Sequence, residues 1–253
     1  MTSIEVRSVG GRVGGFFVMT VDAFRAMVRR PFQARELIEQ AWFVVTVSLL
    51  PTFLISIPFC VIMVFQINQL LIEIGASDLS GAGAGLTVVR EIGPVVSVLV
   101  VAGAGGTALC ADLGARAIRE EIDAMEVMGI DPIHRLVAPR VLALSIVALA
   151  LNGVVTLVGL TGSFLFSIFV QKASAGLFVA NLTLLTGLSD FLVSEFKALV
   201  FGVSAGLVSC YLGLTVSGGA KGVGQAVNQS VVFSFALLFL ANSLITGVFL
   251  QYR

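Results

Sequence analysis

The chain has 253 residues, 57% of them hydrophobic, and only 12% carry charge. The 15 basic and 15 acidic side chains cancel, so nothing in the charge balance favours nucleic acid as a partner. The composition is too apolar for a soluble domain and points to a membrane protein.

Crossing a hydrocarbon core takes about 20 apolar residues in a helix. Five stretches approach or exceed that length, at 41–65, 92–111, 141–170, 198–214 and 231–250. The expected fold class is an all-α integral membrane protein. Residues 1–40 form an N-terminal segment with an interfacial amphipathic helix, and 41–253 form a five-helix membrane domain.

In the N-terminal segment Phe17, Val21, Phe24 and Val28 recur at helical spacing, with Asp22, Arg25 and Arg29 away from them. This pattern predicts a helix lying in the membrane surface, ended or bent at Pro31. The arginines are followed by no apolar core of signal-peptide length. In span one, Pro51 and Pro58 share a face and are expected to bend the helix twice.

Span two opens on Arg90 and Glu91, just before Pro94. It continues with small residues at fourfold spacing: Gly103, Thr107 and Ala111, and Gly106, Cys110 and Gly114. Such faces let helix backbones approach closely. Eight of the 30 acidic and basic residues then fall between Asp112 and Asp131. A short amphipathic helix is expected here, with Leu113, Ile118, Ile122 and Met125 on one side. Arg116, Glu120 and Asp123 lie on the other, with Arg116–Glu120 and Arg119–Asp123 as i,i+4 pairs. Gly129 is the predicted stop, and Asp131-Pro132 reads as an N-cap and first turn of the next helix. His134 has no ligand partner nearby in sequence and reads as a solvated side chain.

Glu195 and Lys197 stand at the predicted outer end of span four, followed by Gly202, Gly206 and Cys210 at fourfold spacing. With Arg90 and Glu91 they would form a polar rim on a lipid-facing cavity, because ionisable groups at that depth need partners or water. Cys60, Cys110 and Cys210 form no CxxC pair and read as packing residues, and no metal site is expected.

Basic residues cluster before span one and between spans two and three, whereas Glu73 and Asp78 lie between spans one and two. The positive-inside rule then puts the N-terminus and the charged island in the cytoplasm and the C-terminus outside. Lys172 and Lys221 do not discriminate. Trp42, Tyr211 and Tyr252 sit at predicted span ends, where amphipathic rings favour the interface. The glycine-rich stretch 218–224 carries Lys221 but fails the phosphate-binding GxxxxGK[ST] pattern. The chain is therefore expected to be non-catalytic and to hold no cofactor. Energy would then come from a partner ATPase, which would hold ATP and Mg, or from an ion gradient.

Several stretches carry a family resemblance. They are Arg90-Glu91-Ile92-Gly93-Pro94, Ala111-Asp112-Leu113-Gly114 and the run from Glu121 to Pro132, EIDAMEVMGIDP. Lys197, residues 206–211, and 218–220 with 222–224 add to them. Over roughly residues 30–250 the chain resembles the MlaE/YrbE permeases of MCE lipid transport systems. The wording of 101–106 and 219–222 is similar to the mycobacterial, actinobacterial YrbE branch.

The resemblance implies an ABC-type permease in the plasma (inner) membrane, paired with a second YrbE-type permease as a heterodimer. It implies two cytoplasmic ABC ATPase subunits, MCE proteins on the outer side, and a fatty-acid, sterol or phospholipid substrate that is imported. The family's coupling helix maps onto about 115–129, with Arg116, Arg119, Glu120, Glu121, Asp123, Glu126 and Gly129 as its ATPase-coupling residues. Its lipid-cavity charges map onto Arg90, Glu91 and Lys197. Leu212 departs from the family, where a basic residue is frequent. Two runner-up functions stay open. One is a secondary transporter using Glu91 and Glu195 to carry protons; the other is a passive membrane anchor for MCE proteins.

Overall fold

The computed structural model describes residues 9–29, 33–171 and 174–251. Among them every regular element is helical. Five helices are long and apolar enough to cross a membrane. The protein is the all-α integral membrane protein expected, which suits a solvent where backbone polar groups must bond within their own segment. Pro31, Lys172 and Tyr252, which entered the sequence reading, lie outside the described residues.

Helix α1 spans Val9–Val28 and has three faces. Phe17, Val21, Phe24 and Val28 are exposed, as a surface-lying helix requires. Asp22 and Arg25 pair at 3.5 Å on the polar side. The third face, Met19, Ala23 and Ala26, is buried against the rest of the chain. Phe16 meets Tyr211 edge to face at 5.5 Å. Tyr211 is therefore buried beneath α1, near the end of its span.

Helix α2, Ala34–Glu73, is one continuous helix of 40 residues that contains Pro51 and Pro58. At about 1.5 Å per residue it is roughly 60 Å long, twice a hydrocarbon core of about 30 Å. The apolar window 41–65 missed both flanks, because helix-forming residues such as Arg35, Glu36, Glu39, Gln66 and Gln69 continue it beyond the oily part. Its buried positions are Val44, Ser48, Thr52, Ser56, Cys60, Val64 and Asn68. Four residues overshoot one turn by about 40°, so this stripe winds around α2 as the helix lies along its neighbour.

A 3₁₀ turn at Ser77–Leu79 leads into the second span. That span is one helical column, Ser80–Ile118, built from α3 (Ser80–Gly85), α4 (Gly93–Val100) and α5 (Thr107–Ile118). Wider π-helical turns join them at Leu86–Ile92 and Val101–Gly106. The first has a visible cause: Pro94 has no N–H to give Arg90 its α-helical bond.

Short α6 (Glu121–Val127) and a π turn at Ile133–Val137 precede α7 (Ala138–Phe169). Then come α8 (Ala175–Leu182), α9 (Leu188–Leu214) and α10 (Gly219–Gln251). Helix α9 starts well before the predicted 198. The Asp190 carboxylate accepts a hydrogen bond from the Gly187 N–H at 3.0 Å, a cap that begins the helix there. Glu195 and Lys197 consequently lie inside the span, not at its end.

Helix α7 is central, packed along α2 on one side and α9 on the other, while α10 leans on α9 and α5. The core forms three apolar clusters along the bundle. One lies near α6, around Leu113, Val141 and Tyr211. A middle one holds Leu109, Leu144 and Phe201. A far one holds Val88, Val155 and Phe178 of α8. At that far end Asn181 donates to the Asp78 carbonyl at 2.8 Å, tying α8 to the turn before α3.

Small residues set the helix spacing. A Cβ at Gly106 would lie 2.7 Å from Ser209 Oγ, and one at Gly206 3.2 Å from the Val141 Cα. Gly114 faces Val216 and Val223 at 3.2 and 3.3 Å. Gly202 is as tight as Gly106, and its nearest neighbour is backbone, the Ser145 Cα at 2.7 Å. Gly103 has only the Phe235 ring, at 4.0 Å, so no close approach depends on it.

Candidate functional site

Two groups of polar side chains interrupt this apolar bundle, one inside it and one at its α6 end. The interior group lies between the middle and far clusters. Lys197 is 1% exposed and its Nζ donates to the Arg90 carbonyl at 3.3 Å. That is the oxygen whose helical donor Pro94 removes. Lys197 thus serves α4's entry from α9, with its side chain buried inside the bundle.

The Arg90 side chain is largely buried. Its Nε is 3.8 Å from Glu91 Oε1 and its guanidinium sits 5.4 Å from the centre of the Phe249 ring, within cation–π range. Asn152, fully buried on α7, donates to Ser194 Oγ and to Glu195 Oε1, each at 3.0 Å. Four sequence-predicted residues, Arg90, Glu91, Glu195 and Lys197, therefore share one region, and Asn152 is the member that sequence reasoning missed. Its signal was a lone amide in a largely apolar run, 141–160. Buried Arg90 Nη2, Asn152 Oδ1 and Thr156 Oγ1 have no hydrogen-bond partner among the described residues. Such atoms are uncommon in a settled core and give this region spare capacity to bind a polar group.

At the other end, the charged island is two helices and not one. Glu120 adopts φ +58°, ψ +19°, a left-handed conformation that costs a non-glycine residue about 1 kcal/mol. The chain breaks there between α5 and α6. The expected Arg116–Glu120 and Arg119–Asp123 pairs do not form, because i,i+4 spacing is lost across the break. Arg116 instead meets Asp112 at 3.3 Å and Glu121 at 3.9 Å, and Arg119 meets Glu121 at 2.8 Å.

Glu121 is half-buried in these contacts, while Asp123 and Glu126 are exposed. Ile122 and Met125 tuck against the cluster beneath. At the tip, Val127 and Met128 are 88% and 67% exposed. The tip is held by a paired cap: the Gly129 N–H donates to the Glu126 carbonyl at 2.9 Å and the Ile130 N–H to the Met125 carbonyl at 2.9 Å. Gly129 has φ +75°, as this motif demands. Asp131 then caps the next helix through the Ile133 N–H at 3.0 Å, as its place before Pro132 suggested. Gly129→Val is expected to cost about 1 kcal/mol locally. Faster hydrogen exchange at the Ile130 amide would report it.

Beneath α6 sits Arg140, whose side chain is fully buried. Its Nη2 donates to Asp112 Oδ2 at 2.7 Å, and its Nη1 to the Leu136 carbonyl at 3.1 Å. Nη1 also lies 3.6 Å from Glu36 on α2.

A family model described as Permease MlaE matches residues 37–248. A probable ABC transporter permease of the cyanobacterium Synechocystis is 35% identical over 191 residues, 75% of this chain and 73% of its own length. A probable ABC transporter permease of Rickettsia typhi is 35% identical over 161 residues, 64% of this chain and 62% of that one. The Arabidopsis thaliana chloroplast protein named trigalactosyldiacylglycerol 1 is 32% identical over 205 residues, covering 81% of this chain and 57% of the relative. With five spans, a polar interior cluster and a charged helix hung off one end, this chain belongs to the MlaE permease family, and its Synechocystis and Rickettsia relatives are named probable ABC transporter permeases.

Proposed function

We propose that this chain is the membrane-spanning subunit of an ATP-driven lipid importer, with α6 as the element that an ATPase grips. The observation that carries the reading is the α6 tip. Val127 and Met128 stand exposed beside Asp123 and Glu126, on a helix closed at its C-terminal end by the Gly129 cap. A short helix with an apolar tip and an acidic flank suits insertion into a groove of a soluble partner that carries basic side chains. Family membership supports the ATPase as that partner.

A lipid substrate is supported by the interior cluster, where Arg90 and Glu91 stand beside buried polar atoms with unused bonding capacity. It is also supported by a relative whose name is that of a lipid, trigalactosyldiacylglycerol. On this reading the α6 end is cytoplasmic, as the arginines around it favour, and α8 faces outward toward MCE proteins. A second permease, of the YrbE type that the wording of 101–106 suggests, completes the complex in the plasma membrane.

Asp123 and Glu126, free of the internal pairs that hold Glu121, are the charges a partner would meet. Reversing both to lysine is expected to weaken ATPase binding by roughly tenfold or more and leave the spans folded. Co-purification of the ATPase with the double variant, measured beside its thermal unfolding, checks this. Undiminished ATPase recovery from a folded variant would overturn the docking role of α6. Lipid uptake into liposomes by the permease without any ATPase would favour proton-coupled transport through Glu91 and Glu195.

A further inference from the structure

The break at Glu120 creates a mechanical problem. A helix joined to its span through one left-handed residue can swing, and a push on α6 would then be absorbed at the joint. The structure spans that joint with charge. Arg116 and Arg119, on the α5 side, both reach Glu121 on the α6 side, at 3.9 and 2.8 Å. From Arg116 the chain of contacts continues inward to Asp112 at 3.3 Å, to Arg140 at 2.7 Å and to Glu36 at 3.6 Å. Glu36 is itself held by the Gln40 amide at 3.0 Å. These residues lie on α6, α5, α7 and α2 in turn.

We propose that Arg140 and Asp112 are positioning residues that make the bases of α2, α5 and α7 move with α6, so that displacement of α6 reaches the spans and not only the Glu120 joint. The inference rests on α6 receiving the work of ATP hydrolysis. Three features favour transmission over simple stabilisation. Arg140 is completely buried, yet its Nε has no partner among the described residues, so bonding is arranged toward Asp112 and Glu36 and not saturated. A guanidinium fork holds direction as well as distance, unlike a point charge. Asp112 is shared between Arg140, which points into the bundle, and Arg116, which points to the joint. Its two oxygens therefore connect interior to surface.

The test uses the assembled complex with its ATPase in liposomes, measuring lipid moved and ATP hydrolysed in the same sample. Asp112→Asn and Arg140→Lys are expected to keep ATPase binding and hydrolysis, while lipid moved per ATP falls roughly tenfold. Glu121→Gln breaks the same chain at a half-exposed position where folding is not at stake, and it is expected to lower the ratio in the same direction. An unchanged ratio in folded Glu121→Gln complex overturns the proposal. So does a loss of transport matched by an equal loss of hydrolysis. If the unaltered chain recruits no ATPase at all, the functional reading fails instead, which separates the two.

Discussion

Gly202→Leu is expected to prevent accumulation of folded protein. A Cβ at this position would lie 2.7 Å from the Ser145 Cα, 2.9 Å from the Ala148 Cβ and 3.1 Å from the Leu144 carbonyl oxygen. Two of these three are backbone atoms of α7, which cannot rotate away, so α7 and α9 must separate. The cost is about 3 kcal/mol or more. It falls on a protein whose helices gain little from the hydrophobic effect within lipid and depend on close packing. The control is Gly153→Leu on the same α7, where a Cβ meets nothing within 4 Å. That variant is expected to fold normally. Monodisperse yield in detergent and thermal unfolding distinguish the two, and equal behaviour would remove the claim that the α7–α9 contact sets the bundle.

Asn152→Leu is the second large effect. The leucine occupies similar volume but removes donors to Ser194 and to Glu195, each at 3.0 Å. A half-buried carboxylate would lose its donor, and unsatisfied buried groups cost about 1–3 kcal/mol each, more when charged. A destabilisation of about 3 kcal/mol is expected, together with lost transport, because Glu195 and Lys197 lie on one helix beside Arg90. Glu195→Gln keeps an oxygen for the Asn152 amide and is expected to change stability by less than about 1 kcal/mol. A mild Asn152→Leu phenotype beside a severe Glu195→Gln one would mean that the carboxylate, and not the amide, organises this region.

Number and placement of the spans were legible because hydropathy over about 20 residues is a property of the local chain. Their lengths were not. Helix α2 passes beyond its apolar window at both ends, and α9 starts at a Gly187–Asp190 cap that hydropathy cannot register. The stop at Gly129 and the restart at Asp131 were legible too, since both depend on side chains within four residues. The break at Glu120 was not, because left-handed glutamate has no local signature. It persists because Ile122 and Met125 pack downward while Glu121 turns back to Arg116 and Arg119.

The sequence by itself determined that this chain is helical, lies in a membrane, carries a charged segment between spans two and three, and resembles MlaE permeases. Those properties rest on composition, periodicity and short contiguous motifs. Only the tertiary structure decided which charges are tools of the surface and which are internal ties. Arg140 is one of the basic residues between spans two and three, and Lys197 was expected on a polar rim. The structure buries both, because packing of α7 against α2 and of α9 against α4 closes over them. A charge taken out of lipid and water alike must find its partner on another helix. That partner lies tens of residues away in sequence: Asp112 for Arg140, and the carbonyl of Arg90 for Lys197.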